Sequence, residues 1–310
     1  MSFVEKALNR LKREQQEMAP LGEFRHTPGD HPPGASAPGH YTVGGTPATP
    51  HVPRGKLVAV DRGRLREEGF LAPEKYSRQM ADEYRRIKRP LIANAFGIGV
   101  PRIDDGNLIL VSSAISGDGK THTCLNLALS LAAERDRTVL LVDGDVPKPH
   151  ISRLFGIADQ PGLLDALGEQ RPLLDELLIR TDIPRLSVLP AGRWKEDATE
   201  LLASGRMREL CKELAQRYSD RIILFDSPPL LAATEAQAIS AVVGQVVLVI
   251  AENITARDDV RAALALLDEN KPINAILNKS RQPSVGGYYY GGYGYGANAR
   301  TEQADETTQQ

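Results

Sequence analysis

Cysteine is scarce, with only Cys124 and Cys211 among 310 residues. They stand far apart, each inside a helical pattern. This excludes a disulfide framework and suits buried packing in a reducing compartment. Long apolar runs are missing too. The longest candidate, Ala241 to Ala251, is interrupted by Gly244 and Gln245. It falls short of the roughly 18 residues of a membrane span and reads as a buried strand. The N-terminus has no signal-peptide core, so the expectation is a soluble, cytoplasmic chain. Nor is there a basic excess: 38 Lys and Arg face 40 Asp and Glu, a net charge of −2, which argues against broad nucleic-acid binding. Four of the six histidines (His26, His31, His40 and His51) share one Pro/Gly-rich stretch without metal-ligand spacing. Against these absences, a hydrophobic content of 41% supports a real core, in one large α/β domain with tails or in two smaller domains.

The most informative stretch is Ala114-Ile115-Ser116-Gly117-Asp118-Gly119-Lys120-Thr121. It follows the apolar run Leu108-Ile109-Leu110-Val111 and opens onto a helical pattern carrying Leu125, Leu127, Leu129 and Leu131. Strand, Gly-rich loop, Lys-Thr and helix, in that order, make a phosphate-binding loop. Gly117 and Gly119 let the backbone turn sharply and aim bare N–H groups at phosphate oxygens. The positive end of the helix adds to the same spot. Ser116, Gly117, Asp118, Gly119, Lys120, Thr121 and His122 are therefore candidates to bind the phosphates of ATP. Lys120 would reach the β- and γ-phosphates, and Thr121 would offer its hydroxyl to Mg²⁺. Ala114 stands where the strict pattern has Gly.

Around this loop the chain divides by composition. Residues 1–17 place Phe3, Val4, Leu8 and Leu11 at helical spacing among Lys6, Arg10, Lys12 and Arg13, a short basic amphipathic helix. Residues 18–55 hold 15 Pro or Gly among 38 and read as a disordered linker. Order is expected to resume near Tyr76, with a helix over 75–95 kinked at Pro90. That helix carries Glu83, Arg86 and Arg89 on one face. Strands are then predicted at 107–113, 138–142, 185–189, 221–226, 244–251 and 273–278. Helices fall at 120–134, between 150 and 168, at 197–218 with a break near Gly205, at 232–240 and at 256–269. Continuously apolar strands alternating with helices predict an α/β fold over 75–280, a doubly wound, mainly parallel sheet of the P-loop NTPase kind. Residues 281–310 are polar and Gly/Tyr-rich and read as a flexible tail.

Two further strand ends point at the phosphate loop. Val139–Val142 runs into Asp143-Gly144-Asp145, and Ile222–Phe225 runs into Asp226-Ser227-Pro228-Pro229. In an open parallel sheet, ligands sit outside the carboxyl ends of the strands. Mg²⁺ takes hard oxygen ligands, usually one or two carboxylates with phosphate and water, which suits Asp145 and Asp226 beside Thr121. Asp143 is then free to accept the proton of an attacking nucleophile. Lys120, Asp143, Asp145 and Asp226 form the candidate catalytic set.

These three elements resemble the Walker-type motifs of the bacterial tyrosine kinases. The likeness extends from about Tyr76 to the C-terminus, closest to the exosortase-associated autokinases of exopolysaccharide loci. Leu189-Pro190-Ala191-Gly192 and Leu201-Leu202-Ala203-Ser204 share in it. The resemblance implies ATP and Mg²⁺ as cofactors. It also implies ring-like self-association through Glu83, Arg86 and Arg89, and activation by a membrane-anchored polysaccharide co-polymerase, or chain-length regulator. That partner would recruit the chain to the inner face of the membrane, and a phosphotyrosine phosphatase would oppose it. Pro147 replaces the Arg that the family usually places two residues after the second Asp.

The tail fits this reading. Tyr288, Tyr289, Tyr290, Tyr293 and Tyr295 put five of nine tyrosines within eight residues, spaced by glycine. Such a segment can enter a neighbour's site, and each phosphate would add about −1.5 to −2 charges. The alternative is a partitioning-type P-loop ATPase switch, a class that typically carries a Lys early in the phosphate loop where this chain has Ile115.

Overall fold

The computed structural model describes residues 55–71, 77–217 and 220–280. Its first elements are β1 (Leu57–Val58), α1 (Arg62–Glu67), α2 (Ser77–Phe96), β2 (Leu108–Ser113), α3 (Lys120–Ala132) and β3 (Thr138–Asp143). Three short helices follow, α4 (His150–Leu154), α5 (Leu163–Leu167) and α6 (Leu174–Leu177), then β4 (Ile179–Thr181) and β5 (Leu186–Leu189). The last are α7 (Ala198–Ala203), α8 (Gly205–Arg217), β6 (Arg221–Asp226), α9 (Thr234–Val242), β7 (Gln245–Ala251), α10 (Arg257–Ala265) and β8 (Ile273–Asn278).

The strands form one sheet in the order β1-β4-β5-β3-β6-β2-β7-β8. All neighbours pair parallel except β4 with β5. The apolar runs occupy its middle: β2 and β6 are buried at every position. Each face of the sheet carries its own apolar layer. On one, Ile109, Val111, Leu141 and Leu224 meet Leu125, Leu127 and Leu131 of α3 and Leu91 of α2. On the other, Leu140, Phe225 and Val246 meet α5, α8 and α9. Each fully buried leucine contributes about 1.5–3 kcal/mol, so α3 is held chiefly by this packing.

The fold reaches further toward the N-terminus than the sequence pattern does. β1, α1 and β4 join the sheet or its core, with Val60 and Leu65 buried. At two to six residues they are too short to show a periodicity. Tertiary bonds hold them instead: Asp61 caps α1 by accepting the Arg64 N–H at 3.0 Å, and Asp182 accepts the Val60 N–H at 2.9 Å. Pro90 does not end α2, which continues to Phe96. The break between α7 and α8 falls at Ser204, whose hydroxyl donates to the Leu201 carbonyl at 2.6 Å and accepts the Met207 N–H at 3.4 Å. The basic N-terminal helix, all but Gly55 of the Pro/Gly-rich stretch and the five tail tyrosines lie outside the described residues.

Candidate active site

β2 lies between β6 and β7, and the chain leaving it crosses over β6 to reach β3. A crevice at the carboxyl end of β2 is the expected result of that topology, and the phosphate loop fills it. Gly117 and Gly119 both sit at φ +92, a region that other residues enter only with strain. A side chain at Gly119 would also meet Asn278 Nδ2 at 2.2 Å. Gly119 caps α3 with no side-chain partner, so the start of this 13-residue helix keeps donors for an anion.

The loop is braced from three sides. The Asp118 carboxylate is fully buried. It accepts the Thr255 hydroxyl at 2.7 Å and the Ile115 N–H at 3.3 Å. Asn278 Nδ2 donates to the Asp118 carbonyl at 2.8 Å, and Lys279 Nζ donates to the Gly117 carbonyl at 2.7 Å. The N–H groups of Leu230 and Leu231 bond the carbonyls of Ser113 and Ala114 at 2.8 and 3.3 Å. Motif spacing does not single out Thr255, Asn278 or Lys279. A weaker signal does exist, since each follows or ends a strand on the β7 side of β2, where side chains face the same crevice. Asp118 itself turns inward, and any contribution to phosphate binding falls to its backbone. His122 behaves likewise: its ring packs against Phe70 with centroids 6.4 Å apart, and burial lowers its pKa.

The strand ends bring the carboxylates together. Asp143 and Asp226 are register partners at the ends of β3 and β6. Gly144 permits this approach, because a Cβ there would meet the Asp226 carbonyl oxygen at 2.7 Å. Lys120 Nζ lies 3.3 Å from Asp145 Oδ2, with both side chains largely buried. Asp143 Oδ2 accepts the backbone N–H and the hydroxyl of Ser152, each at 2.7 Å. Burial nevertheless pushes Asp143 up to about 7, against the pull of the Ser152 bonds. Asp226 rises further, to about 8, through burial opposed by nearby Lys120 and reinforced by Asp143. The Thr121 hydroxyl is close enough to temper that rise, yet neither Asp226 oxygen completes a hydrogen bond of normal geometry.

Those orphaned oxygens test the fit for a cation. Neither Asp226 oxygen nor Asp143 Oδ1 completes a hydrogen bond of normal geometry although all three are buried, with only the nearby Thr121 hydroxyl and Asp145 N–H to temper them, a costly state for carboxylates that a divalent ion would relieve. No group of three or more metal-ligating His, Cys, Asp or Glu side chains occurs among the described residues. Mg²⁺ needs no such group, since it takes one or two carboxylates and completes its shell with phosphate and water. The residues present fit it. Pro147 is exposed in the turn closed by the Lys148 N–H to the Asp145 carbonyl at 3.0 Å, so no guanidinium reaches out from that position. On α2, Arg86 and Arg89 are exposed, while Glu83 is half-buried and accepts Gln79 Nε2 at 3.0 Å. Both cysteines are buried, and burial raises their thiols, Cys211 to about 12.

With this geometry in view, the relatives are informative. The model of an AAA domain family matches residues 106–278, more than half of the chain. The chain is 32% identical over 185 residues to the tyrosine-protein kinase YwqD of Bacillus subtilis, covering 58% of this chain and 76% of that one. It belongs to the bacterial tyrosine-protein kinase family. Among the other members of this kinase family, wzc of Salmonella typhi is 30% identical over 191 residues, 61% of this chain and 26% of that protein. The chain thus spans about a quarter of the longer relatives, 27% in the case of EpsB of Ralstonia solanacearum. The crystal structure of the VpsO kinase domain superposes with a TM-score of 0.55 at 29% identity, over 67% of this chain and 100% of that domain.

Proposed function

We propose that this chain is an ATP- and Mg²⁺-dependent protein-tyrosine kinase that phosphorylates the cluster Tyr288, Tyr289, Tyr290, Tyr293 and Tyr295 of a neighbouring copy, in the control of exopolysaccharide synthesis and export. The observation that carries the reading is the meeting of Lys120 and Asp145, 3.3 Å apart, with the partnerless carboxylate of Asp226 at the start of a helix that follows a phosphate loop. In this reading Lys120 leaves Asp145 for the β- and γ-phosphates and spreads charge from the transferring group. Thr121, Asp145 and Asp226 would hold Mg²⁺, which when bound neutralises phosphate charge. Asp143 acts on the acceptor phenol through its free Oδ1. A base held near pH 7 is well matched to that task, because phenols ionise only near about 10.

Self-association through Glu83, Arg86 and Arg89 would bring one tail to the next active site. No helix among the described residues is long and apolar enough to cross a membrane. In this reading a membrane-anchored polysaccharide co-polymerase recruits the chain to the inner face of the membrane, and a phosphotyrosine phosphatase removes the phosphates. The partitioning-switch alternative is disfavoured by Ile115, an apolar side chain packed against the core where a Lys would be needed.

The test mixes a Lys120→Met chain with an active chain whose five tail tyrosines are phenylalanine, in Mg·ATP. Phosphate on the tail of the inactive chain is expected. Release of inorganic phosphate by the intact chain, with tyrosine never labelled in either sample, would mean the switch reading is right.

A further inference from the structure

The sole tryptophan, Trp194, is 62% exposed. It directly follows residues 190–193, which are hydrogen-bonded at the catalytic edge of the sheet. The Leu163 and Leu164 N–H groups donate to the carbonyls of Pro190 and Ala191 at 2.8 and 3.0 Å. The Arg193 N–H donates to Asp165 Oδ2 at 3.2 Å. Gly192 holds φ +85, where a Cβ would meet that same oxygen at 2.5 Å. Most telling, the Ala191 N–H donates to Ser152 Oγ at 3.1 Å, and that hydroxyl donates to Asp143 at 2.7 Å. One serine therefore anchors both the candidate base and the root of the tryptophan loop.

We propose that Trp194 is the docking platform for the tyrosine cluster of a second copy of this chain, binding one tyrosine while another is presented to Asp143. This deepens the kinase reading and rests on it for the identity of the acceptor. An exposed indole, with only two side-chain torsions to order, is a low-entropy surface for stacking a phenol, and Tyr288–Tyr295 concentrates five phenols among glycines. Reach agrees. Val142 and Leu189 are register partners on neighbouring strands, so Pro190 follows about 5 Å from Asp143, and Trp194 is four residues further on. Trp194 thus lies within roughly 20 Å of Asp143, less than the roughly 25 Å that an extended eight-residue cluster covers.

Because Trp194 is the only indole, its fluorescence reports docking without reference to catalysis. The full chain, with its own five tail tyrosines changed to alanine, is titrated with a peptide of residues 284–296. A saturable change in tryptophan emission is expected, and none with the same peptide bearing alanine for tyrosine. With a full-length Lys120→Met acceptor, Trp194→Ala should raise KM for the acceptor about tenfold with kcat retained, and Trp194→Phe should restore most of it. An unchanged emission overturns docking whether or not the peptide is phosphorylated, as does an equal response to the alanine peptide. A saturable change with no phosphate transfer leaves docking standing and removes the kinase reading instead.

Discussion

Replacing Asp226 by asparagine asks whether the buried carboxylates hold protons until a cation arrives. Both Asp226 oxygens are buried without partners, and burial moves the group from the usual 3.8 to about 8. Between those values the folded chain keeps a proton that the unfolded chain has released. Its stabilising effect is complete below pH 3.8, is lost as pH rises, and is gone above about 8. Each pH unit in that window costs about 1.4 kcal/mol for one proton. From pH 6 to pH 8, Asp226 alone removes roughly 2–3 kcal/mol, and more if Asp143, at about 7, titrates with it as a pair. At roughly 2–4 °C per kcal/mol for a domain of this size, the melting midpoint should fall by roughly 5–10 °C. The Asp226→Asn variant would keep the shape and lose the titration, so its midpoint should fall less by about that margin. The assay is thermal denaturation of the full chain at pH 6, 7 and 8, in chelator and without nucleotide. Added Mg·ADP should then raise the wild-type midpoint at pH 8 and leave the variant nearly unmoved. Parallel midpoint-versus-pH curves for the two chains would refute the reasoning, because they would mean that Asp226 carries no extra proton in the fold.

Lys120→Met should lower tyrosine phosphorylation by at least about 10²-fold at an unchanged far-UV spectrum, read by phosphosite mapping; near-normal transfer would remove the lysine from the phosphoryl site. Asp143→Asn should keep most Mg·ATP affinity in a binding titration and lose transfer, whereas Asp226→Asn should lose affinity; matching defects would end that division of roles. Thr255→Val strips a buried carboxylate of its 2.7 Å hydroxyl partner and should cost about 1.5–3 kcal/mol by denaturant titration. In an Asp118→Ala background the same change should cost less, leaving only the loss of the acceptor for the Ala251 N–H at 2.9 Å, and equal costs in both backgrounds would show the pair to be uncoupled. Arg86→Glu with Arg89→Glu alters exposed positions on α2, so stability should shift by no more than about 0.5 kcal/mol. Sedimentation should find a smaller species; an unchanged oligomer would place the interface elsewhere.

Local chemistry wrote the core strands and the loop into the chain plainly. Ile222–Phe225 and Val246–Ile250 are apolar without a break, and such runs are stable only when covered on both faces. Gly117, Gly119, Lys120 and Thr121 are neighbours in sequence, so the phosphate loop needs nothing from afar to be recognised. The shortest elements left no such trace. Ile179-Arg180-Thr181 has too few residues for an alternation, and it pairs only because Leu57–Val58 and Leu186–Leu189 flank it. The bracing of the loop was equally hidden, since Asp118 meets Thr255 across 137 residues and Asn278 across 160. Composition cannot say that two strand-end carboxylates will be buried side by side. Strand order makes Asp143 and Asp226 register partners, and loss of water then lifts them to about 7 and 8. Hydrophobic period and turn chemistry act over a few residues, which is why they can be read along the chain. Desolvation and long-range hydrogen bonds depend on which segments become neighbours, and that is set by how the sheet assembles.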